Sequence, residues 1–252
     1  MIKGLYMSMG MFSIIPVPRN SWNEKYMSLV IPALPVVGLI IGLLWCGAVW
    51  LLLRLGIPPV MTGVFLLLVP FVLSGFIHVD GYMDTADAVL SRRPLEEKKR
   101  ILKDPNAGAF AVVAIIIIML LQFSAMVTVV DVMTSISLTA FSHTSFIVIP
   151  IASRCVAGAA LILCKPVFET GYNASFKVGT KPRHIVFICI LGLMCVLVSP
   201  WAVSVGIAAG IGTAVYLYRQ FKGISGDLCG CIIVVSECAA VVAMALYGYG
   251  HI

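Results

Sequence analysis

Long apolar runs separated by a few short polar stretches set the pattern of this chain. Residues 1–25 carry only a short apolar run around Leu5 to Val17, too short to cross a bilayer and suited to an interfacial or partly inserted segment. Spans are predicted at about Tyr26–Leu53, with Pro32 and Pro35 kinking its first turns, then at Ile57–Ile77, Ala107–Val130 and Ile136–Cys164. The run Ile115–Ile118 in the third span belongs in lipid rather than in a charged site. The next apolar stretch, Ile185–Tyr218, is too long for one helix and has Ser199-Pro200 at its middle, which predicts two short spans with a turn between them. A last span covers about Leu228–Tyr247. The polar stretches left over are 78–107, 165–184 and 219–227. The predicted fold is therefore all-α: a polytopic integral membrane bundle of about seven transmembrane helices, forming one membrane domain over residues 1–252.

Composition agrees with this pattern. Hydrophobic residues make up 61% of the chain and charged residues 11%, against about a quarter charged in soluble proteins, and the mean hydropathy is +1.07. The formal charge of +6 is accounted for by its distribution. Seven spans place fifteen of the seventeen Lys and Arg on one side, with Arg54 opposite and Arg154 inside a span. The positive-inside rule then makes the N-terminus and the three polar stretches cytoplasmic and puts the C-terminus outside. No basic cluster is interleaved with stacking aromatics, so a nucleic-acid partner is not expected. The eight cysteines form no CxxC and lie mostly in apolar runs, where they serve as small hydrophobes. The N-terminal apolar run is broken by Pro16 and Pro18 and lacks an A-x-A-like site, so no cleaved signal peptide is expected. A homo-oligomer is compatible with the sequence.

The chemistry concentrates between Gly75 and Phe110, which hold Asp80, Asp84, Asp87 and Asp104, four of the six aspartates. If span two continues as helix past Val79, Asp84 and Asp87 are rotated by ~40° and ~−20° from Asp80, and the three carboxylates share a face. Like charges that close repel, so a cation is expected against them. A hard divalent ion such as Mg²⁺ takes oxygen ligands and keeps waters or substrate phosphates in its other positions. The plainer alternative is a solvated acidic helix end pairing with Arg92, Arg93 and Lys98. His78 points away from that face on a straight helix, which favours an interfacial histidine. Asp104 opens a turn into span three and reads equally as its N-cap or as a ligand. Gly223-Ile-Ser-Gly-Asp227 is a Gly-bracketed turn suited to an anion at a helix N-terminus, with Asp227 a further carboxylate or a cap. Arg154 and Glu237 are intramembrane charges and hence candidates for function, or else for pairing with one another.

Gly75-Phe-Ile-His-Val-Asp-Gly-Tyr-Met-Asp-Thr-Ala-Asp87 resembles the G-x-x-H-x-D-G-x-x-D-T-x-D signature of the cobalamin synthases, or adenosylcobinamide-GDP ribazoletransferases. The likeness extends to Pro16-Val-Pro-Arg19, Lys103-Asp-Pro-Asn-Ala-Gly-Ala-Phe110, Ser153-Arg154, and Gly226-Asp227 with Glu237 beyond. It departs at Asn106, where the family usually has arginine, so Lys103 or Arg100 is expected to supply that charge. The resemblance implies an enzyme that joins adenosylcobinamide-GDP to α-ribazole or its 5′-phosphate, giving adenosylcobalamin or its 5′-phosphate and releasing GMP. It also implies Mg²⁺ dependence and residence in the cytoplasmic (inner) membrane, with the active site on the cytoplasmic face. The matched positions suggest Asp80, Asp84 and Asp87 as metal ligands and Lys103, Asn106, Arg154 and Gly226 as substrate-holding residues. His78, Asp104 and Asp227 remain as three candidates for the catalytic base.

Two other readings compete. A CDP-alcohol phosphotransferase-like enzyme also sets aspartates around Mg²⁺ at a membrane face, but its Asp-x-x-Asp-Gly-x-x-Ala-Arg run is not matched at Asp80-Gly-Tyr-Met-Asp84-Thr85. A cation transporter could line a path with Asp80, Asp84, Asp87, Arg154 and Glu237, although such sites usually lie near the midplane.

Overall fold

A computed structural model describes residues 2–18, 22–135, 143–168 and 180–250. Arg19, Lys177 and residues 136–142 at the start of the predicted fourth span lie outside them. The described residues form ten α-helices and no strand. Helix α1 (Ile2–Phe12) is followed by a 3₁₀ turn, Glu24–Leu29, that runs directly into α2 (Val30–Arg54). Then come α3 (Pro59–Leu73), α4 (Ile77–Leu90), α5 (Leu95–Ile101), α6 (Ala109–Ser135) and α7 (Thr144–Leu163). The chain closes with α8 (Pro182–Val198), α9 (Pro200–Phe221) and α10 (Gly226–Tyr249).

Five of these elements are long and apolar enough to cross a membrane: α2 with its leading turn, α6, α7, α9 and α10. A sixth arises if α3 and α4 are taken together as one bent span, and α8, at 17 residues, is a shorter apolar helix. The predicted break at Pro200 is observed, since Ser199 is both the end of α8 and the N-cap of α9. Of the run expected in lipid, Ile116 and Ile117 face outward from α6, whereas Ile118 is buried in a core cluster with Leu67, Phe71 and Val79 and Ile115 packs against it. The N-terminal segment, expected to be interfacial or partly inserted, is anchored through α1. Met7 and Ser8 of α1 are buried, and the helix packs along the 3₁₀ turn and α2, so it is part of the bundle.

The two innermost helices are α7 and α10. With no hydrophobic drive between helices in lipid, small residues and polar contacts hold them together. The Ser236 hydroxyl of α10 donates to the Gly206 carbonyl of α9 at 2.8 Å, and Cys229 lies against the Ala157 carbonyl of α7. The Trp45 indole N–H of α2 donates to the Leu66 carbonyl of α3 at 2.8 Å. Deep between α7 and α10, Arg154 pairs with Glu237 at 2.7 Å, and Ser153 donates to the same carboxylate at 2.8 Å. The two intramembrane charges therefore satisfy each other.

The largest departure concerns the helix that carries the aspartates. It does not continue span two: α3 ends at Leu73, and α4 leaves it at 91°. Gly75 (φ 63°) and Phe76 (φ 60°) are both left-handed, and two such residues in succession turn the chain sharply. The stretch expected as a connector, 78–107, is consequently mostly helical, in α4 and α5.

Candidate active site

After the bend, α4 is wedged between α6 and α10. Its crossing with α10 is unusually close. A Cβ on Gly81 would lie 2.8 Å from the Asp227 Cα, and one on Gly230 would lie 2.9 Å from the His78 carbonyl oxygen. Only glycine permits backbones to approach in this way. On the other flank, the Tyr82 hydroxyl donates to the Ala114 carbonyl of α6 at 3.3 Å. Helix α5 is tied to α9 by Lys98, whose ammonium donates to Gln220 at 2.6 Å.

This packing sets four carboxylates together. Asp80, Asp84 and Asp87 share α4, with Asp80 exposed and the other two half-buried. Asp87 lies against Gly108, at the threshold of α6. Asp227 comes from the far end of the chain, in the first turn of α10, where a negative charge suits the helix dipole. Ser225 rather than Asp227 caps that helix, accepting the Leu228 N–H at 3.3 Å. Asp84 has Asp80, Asp227 and Asp87 as its charged neighbours, all of its own sign. Among the described residues the only ion pairs are Lys99–Glu96 and Arg154–Glu237, so no basic side chain neutralises this group. The plainer alternative, pairing with Arg92, Arg93 or Lys98, is not observed among the described residues.

All the donors here are hard carboxylate oxygens, the set that suits Mg²⁺. Among the described residues no three His, Cys, Asp or Glu side chains close on a common point. A cation held here would therefore draw its remaining ligands from water or from phosphate oxygens, as Mg²⁺ commonly does.

The other candidates are placed elsewhere. His78 is buried; its ring stacks on Phe12 of α1 at 6.4 Å, and its Nε2 has no hydrogen-bond partner among the described residues. Asp104 does not cap α6, which begins only at Ala109. It is exposed and accepts both the backbone N–H and the side-chain amide of Asn106, at 3.0 and 2.9 Å, which hold it below the usual carboxylate range. Asn106 is thus engaged with Asp104. The Lys103 ammonium lies over the Phe168 ring, 3.8 Å from its centre. Arg154 is wholly buried and bound to Glu237 and the Pro150 carbonyl, so it does not face the carboxylates. Gly226 is exposed beside Asp227.

Two contacts had no counterpart in the sequence reading. Ile224 donates its N–H to the Lys165 carbonyl at 2.8 Å and accepts from Val167 at 3.3 Å, clamping the segment after α7 onto the turn that carries Asp227. The Ile224 N–H of the supposed anion-binding turn is therefore already occupied, as is that of Leu228 just beyond it. The Gly81–Asp227 crossing was the second, and its only signal was a glycine between two aspartates on a helix.

Comparison with known proteins gives a consistent picture. Residues 4–245 match the family model described as Cobalamin-5-phosphate synthase. An adenosylcobinamide-GDP ribazoletransferase of Clostridium botulinum (strain Alaska E43) is 33% identical, with 98% of each chain covered. Proteins of the same name from Clostridium perfringens (strain ATCC 13124) and Lachnoclostridium phytofermentans are each 31% identical, covering 97% and 99% of this chain and 98% of their own. No solved structure matches the chain.

Proposed function

We propose that this chain, which belongs to the cobalamin-5-phosphate synthase family, is an adenosylcobinamide-GDP ribazoletransferase of the cytoplasmic membrane. The reaction joins adenosylcobinamide-GDP to α-ribazole or its 5′-phosphate. A ribazole hydroxyl oxygen bonds to the phosphorus that carries the cobinamide, the bond from that phosphorus to the bridging oxygen breaks, and GMP leaves with the bridging oxygen. The hydroxyl proton passes to a base.

The observation that carries this reading is the gathering of Asp80, Asp84, Asp87 and Asp227 from distant parts of the sequence, with no cation of the described chain against them. Such a group does not bind a pyrophosphate by itself, because both are anionic. It does so through a divalent cation, and Mg²⁺ held by Asp80, Asp84 and Asp87 would neutralise charge on the phosphates. The chain's own contribution is then positioning, which suits displacement at phosphorus, where little covalent chemistry falls to the protein. Of the three candidate bases, Asp227 stands among the carboxylates and is the one assigned to take the proton or complete the metal shell. His78 is buried against α1 and Asp104 is held by Asn106. A transport path is less well supported, since Arg154 and Glu237 are closed on one another.

The test is a product balance. Folded protein given adenosylcobinamide-GDP, α-ribazole and Mg²⁺ should form GMP and adenosylcobalamin in equal amounts, and omitting α-ribazole should abolish both. GMP formation that does not require α-ribazole would point to a hydrolase instead.

A further inference from the structure

A groove whose lining includes none of the four carboxylates lies between α7, α8 and α9. Both α8 and α9 pack on α7 more than on each other, although they meet at Ser199-Pro200, and a space of ≈ 650 Å³ separates them. That is within the range of small-molecule sites, about 300–1,000 Å³. Its walls are apolar throughout, with small residues such as Ala159, Gly192 and Ala214 giving it depth. Among the described residues the only charged one lining it is Arg219, in the last turn of α9. Arg219 is exposed and takes part in neither ion pair of the described residues.

We propose that this groove binds an anionic phospholipid, with one acyl chain along its apolar wall and the headgroup phosphate on the Arg219 guanidinium. Helices α7 and α9 are both apolar enough to cross a membrane, so the groove lies at acyl-chain depth. Arginine near a helix end lays its stem along apolar surface and lifts its guanidinium to the interface, where phosphate groups lie. The planar guanidinium matches a phosphate bidentately. A nucleotide or a corrinoid rich in amides is the wrong occupant, because the groove offers almost no polar atoms to receive it. A neutral lipid would leave the one cation unanswered.

The test is native mass spectrometry of the detergent-purified full chain with dioleoyl phosphatidylglycerol or, separately, dioleoyl phosphatidylcholine. Wild type should keep one phosphatidylglycerol under detergent conditions that strip phosphatidylcholine. Arg219→Gln, an exposed change, should lower retention of phosphatidylglycerol by about tenfold, the factor for a lost charge-assisted bond. Gly192→Leu should remove retention by filling the groove; a Cβ there meets only the Cys155 Cβ, at 3.7 Å, so the helices need not move to admit it. Melting curves show that both variants are folded, and if Gly192→Leu fails that check, Arg219→Gln decides alone. Equal retention of the two lipids by wild type, no retention of either, or phosphatidylglycerol kept undiminished by folded Arg219→Gln or Gly192→Leu would overturn the proposal.

Discussion

Asp84 sits at the centre of the carboxylate group, so its substitution separates function from stability most cleanly. Asp84→Asn should lower GMP release by about a hundredfold, a loss typical of removing one electrostatic contact to a transition state. Because it removes one of four mutually repelling charges, its melting temperature in detergent should equal or exceed that of wild type. The shared face of Asp80, Asp84 and Asp87 was legible from spacing alone, since it depends only on helical geometry. The pairing of Arg154 with Glu237 was not, because sequence shows that two charges lie in apolar runs and not whether they meet. Arg154→Met should cost about 3–5 kcal/mol by leaving Glu237 buried and unpaired. Replacing both by Met should recover most of that loss. Thermal melts of wild type and of these two variants check this, and a double variant no more stable than Arg154→Met would contradict it.

At the scale of elements, α4 is the piece the hydropathy pattern misplaces. No charged residue interrupts the apolar stretch from Ile57 to Ile77, so a single span is the natural reading. The break rests on two backbone angles, at Gly75 and Phe76, and a single glycine in an apolar run is a weak signal. The bend matters because it brings α4 across the start of α10. Gly81→Ala puts a methyl 2.7 Å from the Asp227 carbonyl oxygen, a backbone atom that cannot swing aside. The predicted cost is about 1–3 kcal/mol, together with reduced GMP release, because the crossing sets the distance between Asp84 and Asp227. Gly47→Ala on α2, whose Cβ would meet nothing within 4 Å, should leave both stability and turnover near wild type. Equal behaviour of the two variants in melting and turnover would contradict the role given to the crossing.

For the whole molecule, the bundle was legible because lipid-facing and core residues alike are apolar, and hydropathy detects both. The same uniformity hides which helices are central: α7 and α10 are innermost, yet their sequences look no more apolar than the exposed α6. Length leaves α3 and α8 short of a comfortable span, so the count of crossings needs its own test. Seven crossings put the termini on opposite sides, with the Leu95–Ile101 helix cytoplasmic. A cysteine introduced at Glu97 should then react with an impermeant maleimide only in inverted vesicles, and a C-terminal tag only in right-side-out ones. Both reacting from the same side would mean an even number of crossings between Glu97 and the C-terminus, where seven in all require five. The central claim is that distant parts of the chain form one cation-dependent site, and GMP release measured against Mg²⁺ concentration tests it most directly. Wild type should gain activity with Mg²⁺, Asp131→Asn, an exposed change near the far end of α6, should follow it, and Asp84→Asn and Asp227→Asn should each stay about a hundredfold lower. Folded wild type without Mg²⁺-dependent release, or Asp227→Asn tracing the wild-type curve, would contradict it.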